Sequence, residues 1–153
     1  MTNDGKTMPE IADTQSADAL IDRADAAVAA ARAFSAAALA AVRTGVTRED
    51  GRIDGAAAND QQRRLHGLAW IATYVETLAQ TAQWARSLAG AGRFGDGEAD
   101  VILIGFGEYL AALADGIAMS QNEYARPREM GIADAAASLA ADPAVAWFLD
   151  HGN

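Results

Sequence analysis

The sequence of 153 residues contains no cysteine, which removes a whole class of chemistry. Disulfides, thiolate nucleophiles and metal sites with cysteine ligands are all excluded. Histidine occurs only twice, and neither His66 nor His151 follows a glutamate by three residues. The paired glutamate–histidine motifs of di-iron helical proteins are therefore missing, and we expect no metal site in this chain.

Positive charge is also scarce, with 12 basic residues against 21 acidic ones and a net charge of −9. Because a surface that binds nucleic-acid phosphates needs clustered cations, we expect no nucleic-acid partner. No uninterrupted apolar run approaches the roughly 20 residues that a bilayer span requires. Residues 1–15 are polar and carry acids, unlike a secretory signal. We therefore expect a cytoplasmic protein with no membrane-spanning segment.

Alanine is what the sequence has in abundance, at about a quarter of its residues. Alanine has the best helix propensity and buries little area, so closely packed helices are the fold that suits it. The length is that of one domain. We predict an all-α fold, an antiparallel bundle of three long helices with one or two short C-terminal helices. Residues 1–15 are expected to form a flexible tail, and residues 16–153 a single bundle domain.

The first helix is predicted from Ala17 to Arg43, with Ser16 as its N-cap. Gly45 is expected to end it in the left-handed conformation. Larger apolar side chains recur every three or four residues and predict one narrow buried stripe. This stripe consists of Leu20, Ala24, Val28, Ala31, Ala38 and Val42, with Phe34 and Leu39 beside it.

The second helix is predicted from about Gly55 to Leu88, with Asp54 as its cap. It carries apolar residues on two stripes, which is typical of a helix packed between two partners. We therefore expect this helix to be the centre of the fold. One stripe is Leu65, Leu68, Ala72, Val75, Ala79 and Ala82, and the other is Trp70, Tyr74, Thr77, Thr81 and Trp84.

The third helix is predicted from Glu98 to about Tyr124, with Asp96 as its cap and Arg126-Pro127 ending it. Its expected buried face is Ile102, Phe106, Tyr109, Leu110, Leu113 and Ile117. The β-branched run at Val101–Ile104 is also compatible with a short strand, but the continuing helical period favours the helix. Two short helices are expected at Ala133–Ala141 and Pro143–Asp150, since Pro143 suits a first helical position.

Several residues are candidates for chemical sites. Gly105 and Gly107 form a Gly-x-Gly, but position 110 is leucine rather than the third glycine of a dinucleotide fingerprint, so close helix packing is the better explanation. The acids Glu76, Glu108 and Asp115 are more simply interpreted as solvated or arginine-paired than as acid–base catalysts. No nucleophile arrangement accompanies them, and we predict neither a catalytic nor a cofactor-binding residue.

Two features are candidates for an interface. Trp70, Tyr74 and Trp84 lie on nearly one side of the second helix, and aromatic residues in this pattern are typical both of a core and of a protein–protein interface. Arg126 and Arg128 flank a proline and suit either the phosphates of a nucleotide or the negative end of a helix dipole. These five residues are our candidate interface residues.

The segments LHGLAWIATYVETL, FGDGEADVILIGFGEYLAAL and MSQNEYARPREMG carry a resemblance to a known family. The region 65–131 resembles the N-terminal helical extension of methylsuccinyl-CoA dehydrogenases, which are FAD-dependent acyl-CoA dehydrogenases. The resemblance implies an oxidoreductase setting in the ethylmalonyl-CoA pathway, with FAD bound by the full-length enzyme. The family's flavin-binding domain and catalytic glutamate lie downstream of the region that resembles this chain. No catalytic residue is therefore transferred to this sequence, and no cofactor is expected in this chain.

The resemblance implies a non-catalytic accessory or docking domain of an acyl-CoA dehydrogenase. Its partner would be the dehydrogenase body, on the same or an adjacent polypeptide. Two alternatives remain open. The chain is otherwise a free-standing helical bundle that associates with itself through the aromatic face, or a small bundle that binds acyl-CoA through its arginines.

Overall fold

A computed structural model describes residues 16–152, and the tail predicted over residues 1–15 lies outside them. The predicted all-α class is confirmed, because helices dominate these residues and the strands form one short hairpin. In chain order the elements are α1 (Ala17–Val46), α2 (Gly55–Asp60), α3 (Gln62–Gly90), α4 (Asp96–Asp115), β1 (Ile117–Ala118), β2 (Tyr124–Ala125), α5 (Pro127–Met130), α6 (Ala133–Ala141) and α7 (Pro143–His151).

The three long helices α1, α3 and α4 are antiparallel in sequence order, as predicted. Arg86 near the end of α3 forms an ion pair with Asp25 near the start of α1. At the opposite ends, the Gln61 side-chain amide donates to the Gly45 carbonyl over 2.8 Å. Between α3 and α4, the rings of Tyr74 and Tyr109 pack edge to face with centroids 4.5 Å apart. Together with Val101 near the start of α4, which lies in one groove with Trp84 near the end of α3, these contacts show the up-down-up order of the bundle.

The central helices of the fold are α1 and α4, and the prediction that the second long helix occupies the centre is wrong. α3 packs against α1 and α4, while α6 and α7 pack against the same two helices away from α3. The core lies where α1 and α4 meet α3 on one side and α7 on the other, and it includes Phe106 and Phe148, whose ring centroids are 4.8 Å apart. α3 covers one side of this core and turns its other side outward.

The two apolar stripes of α3 are the edges of one wide apolar sector. The line between them is the buried one, with Ile71 and Leu78 at its centre. Val75 and Ala82 of the first predicted stripe are buried, most other residues of the two stripes are half-buried, and Ala72 and Trp84 at their outer edges are exposed. Because a helix repeats every 3.6 residues, residues on both flanks of a buried line are also partly covered by neighbours. One-sided packing thus produces the pattern that was interpreted as two faces.

The predicted stripe of α1 is confirmed: Leu20, Ala24, Val28, Ala31, Phe34, Ala38 and Val42 are all buried. Leu39, expected beside the stripe, is 46% exposed. No uninterrupted apolar run of about 20 residues occurs in α1, but averaging hydropathy along the helix gives a different result. By length and composition alone α1 passes the test for a membrane-spanning helix, with a hydropathy of 1.4 over an 18-residue window. Alanine is the commonest residue of α1, and one third of that window is buried inside the bundle.

The helix ends near residues 45 and 61 differ from the prediction. α1 does not stop at Arg43 but continues through Gly45 to Val46, and Gly45 does not have a positive φ. A Cβ at Gly45 would lie 2.6 Å from the Gln61 side-chain oxygen, so a larger residue there would make the flexible Gln61 side chain move. The predicted second helix is interrupted at Gln61, which leaves the helical region between α2 and α3.

The third long helix is shorter than predicted. α4 ends at Asp115, and Gly116 follows with φ 136°, a value that L side chains rarely adopt. Ile117 is buried as predicted, but in a hairpin in which it pairs with Ala125. Pro127 does not end a helix; it occupies the first position of the short helix α5. The run Val101–Ile104 is helical, as favoured.

Local capping was predicted well. Ser16 accepts from the Ala19 amide at 3.3 Å, and Asp54 accepts from the Ala56 amide at 2.9 Å. These bonds satisfy amides that have no partner inside the first turn of a helix. At α4 the cap is Gly95 rather than Asp96, with the Glu98 carboxylate accepting from the Gly95 amide at 2.9 Å. α6 and α7 begin and end within a residue of the prediction.

Candidate docking face

The three predicted aromatic residues of α3 differ in exposure. Trp84 is 39% exposed, whereas Trp70 and Tyr74 are half-buried. The Trp70 indole N–H donates to Nε2 of His66 over 2.9 Å. Trp84 is thus the aromatic residue of this group that is most available to a partner.

Trp70, Tyr74 and Tyr109 form a continuous aromatic contact between α3 and α4. The Trp70 and Tyr74 ring centroids lie 6.2 Å apart in an edge-to-face arrangement, and Tyr74 contacts Tyr109 in the same way. Burial raises the pKa of the Tyr74 phenol above its ordinary value of 10.0, and the neighbouring Tyr109 adds to this effect. This part of the predicted aromatic face is therefore packing between helices.

An open groove of about 790 Å³ runs along the exposed side of α3. We call this surface the outer face of α3. It is bounded on the α4 side by Val101. The residues that line it are Ala72, Thr73, Glu76, Thr77, Gln80, Thr81, Trp84 and Val101.

The polar side chains of the outer face are largely satisfied within α3 itself. The hydroxyls of Thr73, Thr77 and Thr81 each donate to the backbone carbonyl four residues earlier, at 2.8 to 2.9 Å. The Gln80 amide donates to the Glu76 carboxylate at 2.6 Å. A hydroxyl bonded to its own helix leaves its methyl group available for apolar contact. A partner can therefore cover this face without leaving the three hydroxyl donors unbonded.

Two exposed aliphatic residues of α4 extend this apolar surface, and sequence reasoning missed them as interface candidates. Val101 is 52% exposed and Ile104 is 58% exposed. Both lie off the buried line of Ile102, Phe106 and Leu110 on the helix. Their position away from the buried line could have identified them as interface candidates. An exposed isoleucine one turn from an exposed valine is unusual on a solvated helix face.

Arg126 and Arg128 lie at the other end of α3, far from Trp84. Arg126 stacks over the Tyr124 ring at 4.7 Å and pairs with Glu129 at 3.4 Å. Glu129 also pairs with Arg63 on the first turn of α3 at 2.6 Å. At 1.5 Å per residue, the 21 residues from Arg63 to Trp84 span about 30 Å of helix. The predicted interface residues therefore fall into two separate surfaces rather than one.

The acids considered as catalysts are exposed and dispersed. Glu76, Glu108 and Asp115 each lie on the surface. Within residues 16–152 no polar or charged residue is buried, and no group of three or more potential metal ligands occurs. A carboxylate in open solvent lacks the desolvation that prepares a general acid for catalysis.

The residues that line the groove on the outer face of α3 do not fit a flavin dinucleotide. A bound diphosphate needs cations or a helix N-terminus to meet its charge. The outer face instead presents the middle of a helix, and its charged residue is the carboxylate of Glu76. The outer face therefore lacks the groups that would hold the diphosphate of FAD.

No family model matches the chain. It is similar to (2S)-methylsuccinyl-CoA dehydrogenase of Cereibacter sphaeroides, with 48% identity over 83 residues. The match covers 54% of this chain and 15% of the length of that enzyme. The similarity supports a relationship to acyl-CoA dehydrogenases. The chain thus spans a small fraction of the curated relative, whose remaining length has no counterpart in the match.

Proposed function

We propose that this chain is a non-catalytic helical domain of an FAD-dependent acyl-CoA dehydrogenase resembling methylsuccinyl-CoA dehydrogenase. It docks on the dehydrogenase body, which lies on the same or an adjacent polypeptide in the cytoplasm. The identity to a short part of a much longer dehydrogenase is the observation that supports this function most directly. The solvated acids of the bundle support the non-catalytic role, since none lies in a desolvated pocket.

The outer face of α3 is the first candidate for the docking contact. Its groove contains an exposed tryptophan and an exposed valine, and its three threonine hydroxyls are already bonded. Tryptophan is enriched at the centre of protein–protein interfaces, where large rigid side chains add area at low entropic cost. Arg126 and Arg128 form a second candidate contact at the opposite end of α3.

A chimera tests the proposed function. The matched 83 residues of the Cereibacter sphaeroides enzyme are replaced by the corresponding residues of this chain. Oxidation of (2S)-methylsuccinyl-CoA is then followed with an added electron acceptor. We expect the chimera to be active and the isolated chain, mixed with FAD, to reduce no acceptor. Reduction by the isolated chain would refute the non-catalytic role, and a folded but inactive chimera would refute the accessory role.

A second candidate function is binding of coenzyme A esters, and one observation favours it. A groove of about 360 Å³ between α4, α5 and α6 has Arg126 and Arg128 at its edge and alanines along its walls. Asp115 lines the same groove and opposes an anionic ligand. Calorimetric titration with methylsuccinyl-CoA tests this function. Binding that disappears when both arginines are replaced by alanine would support it, and the absence of heat would eliminate it.

A further inference from the structure

We infer that the outer face of α3 binds an amphipathic helix of the dehydrogenase body that carries arginine or lysine along one edge. This inference rests on the proposed function and adds the chemistry of the partner surface. The charge, the hydrogen bonding and the length of the outer face of α3 support it.

The charge of the outer face is sparse and of one sign. Glu76 is the charged residue among the eight that line the groove, and its carboxylate is exposed. Glu108, one turn beyond Ile104 on α4, is also exposed and acidic. Covering a carboxylate without a cation leaves a desolvated charge unpaired, which is strongly unfavourable. The Gln80 amide bonded to Glu76 carries no charge, so a partner that covers this face is expected to supply a cation.

A second copy of this chain does not meet that requirement. In a twofold dimer the same surface faces itself, so each Glu76 would meet the uncharged residues or the Glu76 of its copy. The first cation that follows the face along α3 is Arg86, which is already paired with Asp25. Like charges that face each other across an interface destabilise the complex. The charge of the face thus favours a different partner over self-association.

The shape and hydrogen bonding of the face suit a helix. From Ala72 to Trp84 the face is about 18 Å long, the length of roughly twelve helical residues. Apolar anchors on one side of such a helix would meet Trp84, Val101 and the threonine methyl groups. The threonine hydroxyls demand no donors or acceptors from the partner, because they bond to their own helix. A strand would instead present backbone groups that this face cannot pair.

Two synthetic helical peptides of about twelve residues test the inference with the full chain. They share one ridge of leucine and alanine and differ only in an edge of arginine or of glutamate. Binding is measured by calorimetry and by tryptophan emission, with Trp84→Phe identifying the contribution of Trp84. We expect the arginine peptide to bind and the glutamate peptide to bind at least about tenfold more weakly.

Charge reversal on the face supplies the matched control. Glu76→Lys should weaken the arginine peptide by about tenfold, because it replaces an attraction with a repulsion. Glu49→Lys makes the same change in net charge in the turn between α1 and α2 and should leave binding within about twofold. Gln80→Lys is a second variant on the face, should Glu76→Lys fail to fold. Equal effects at positions 49 and 76, equal affinity for both peptides, or no binding would each overturn the inference.

Sedimentation of the chain alone separates the remaining outcomes. A discrete dimer that Trp84→Asp dissociates would show a second copy on the face and would also overturn the inference. The chimera distinguishes this inference from the proposed function. If the chimera is active and Glu76→Lys within it changes nothing, the function stands and the partner chemistry is wrong. If the chimera is folded but inactive while the peptides discriminate as expected, the surface stands and the function is wrong.

Discussion

Gly107 of α4 and Gly152 after α7 touch through their backbones. A Cβ on Gly107 would lie 2.5 Å from the Gly152 carbonyl oxygen and 2.6 Å from its carbonyl carbon. Such distances leave no room for a side chain, and backbone atoms on both sides cannot swing away. The glycine pair therefore sets how closely the C-terminal helix approaches the centre of the bundle.

The two glycines of the Gly-x-Gly sequence should respond oppositely to alanine. Gly107→Ala should lower the free energy of unfolding by about 1–3 kcal/mol through overpacking. A Cβ added at Gly105 would meet no atom within 4 Å, so Gly105→Ala should raise it by about 0.5–1 kcal/mol through helix propensity. Urea denaturation of both variants checks this. Similar losses in both would show that the close contact is not the cause.

Core and outer-face aromatic residues should differ in their effect on stability. Phe106 is fully buried against Phe148, so Phe106→Ala should lower the free energy of unfolding by about 3–5 kcal/mol. Trp84 is 39% exposed, and Trp84→Ala should cost less than about 1 kcal/mol. Thermal and urea unfolding measure both values. A loss at Trp84 as large as that at Phe106 would contradict the assignment of the outer face as a surface.

Arg64 should stabilise the junction of α1, α3 and α5. Its guanidinium donates to the Met130 carbonyl at 2.8 Å and to the Gln61 side chain at 2.8 Å. Arg64→Ala removes these donors and should lower the free energy of unfolding by about 1–3 kcal/mol. Arg63, whose side chain is 51% exposed, makes a surface ion pair, so Arg63→Ala should cost about 0–1 kcal/mol. Equal losses in urea denaturation would show that the part-buried carbonyl contacts of Arg64 add nothing.

Tyr74 should titrate later than an ordinary tyrosine. Desolvation raises the pKa of its phenol above 10.0 by disfavouring the phenolate in the folded chain. The stability linked to this group is fully present below pH 10.0 and is lost as the pH rises through the folded value, because the unfolded chain releases the proton first. Tyrosinate absorbance during alkaline titration measures it. Tyr74→Phe should remove the part of the absorbance change that appears at the highest pH. If the unmodified chain shows no such late part, the burial of the Tyr74 phenol is contradicted.

Much of the local structure was predictable because its causes are local. The caps at Ser16, Asp54 and Asp142 depend on side chains that bond to amides two or three residues further on. The buried stripe of α1 and the bounds of α6 and α7 follow from spacing and proline position. The end of α4 was mispredicted for a non-local reason. Ile117 continues the helical period in sequence but is buried by pairing with Ala125 across a hairpin.

The candidate docking face was predictable only in part. Trp84 was recognised as an interface candidate, while Val101 and Ile104 were not, because periodicity shows which residues could be buried and not which neighbour is missing. The apolar sector of α3 is wide enough for two partners, and only the tertiary structure shows that both lie on one side. Arg126 and Arg128 belong to a different surface. Their distance from Trp84 depends on where the hairpin packs on α3, and the sequence pattern does not show that position.

The sequence by itself determined that the fold is helical, which residues cap α1 and α2, and which line of α1 is buried. These features depend on backbone propensity and on side chains within one or two turns. The tertiary structure decided which helix is central, which glycines allow close approach, and which side of α3 remains open. Gly45 and Gly107 show the reason. Gly45 lies against the Gln61 side chain and Gly107 against the Gly152 backbone, both residues outside its own turn, and no local pattern records contacts of that kind.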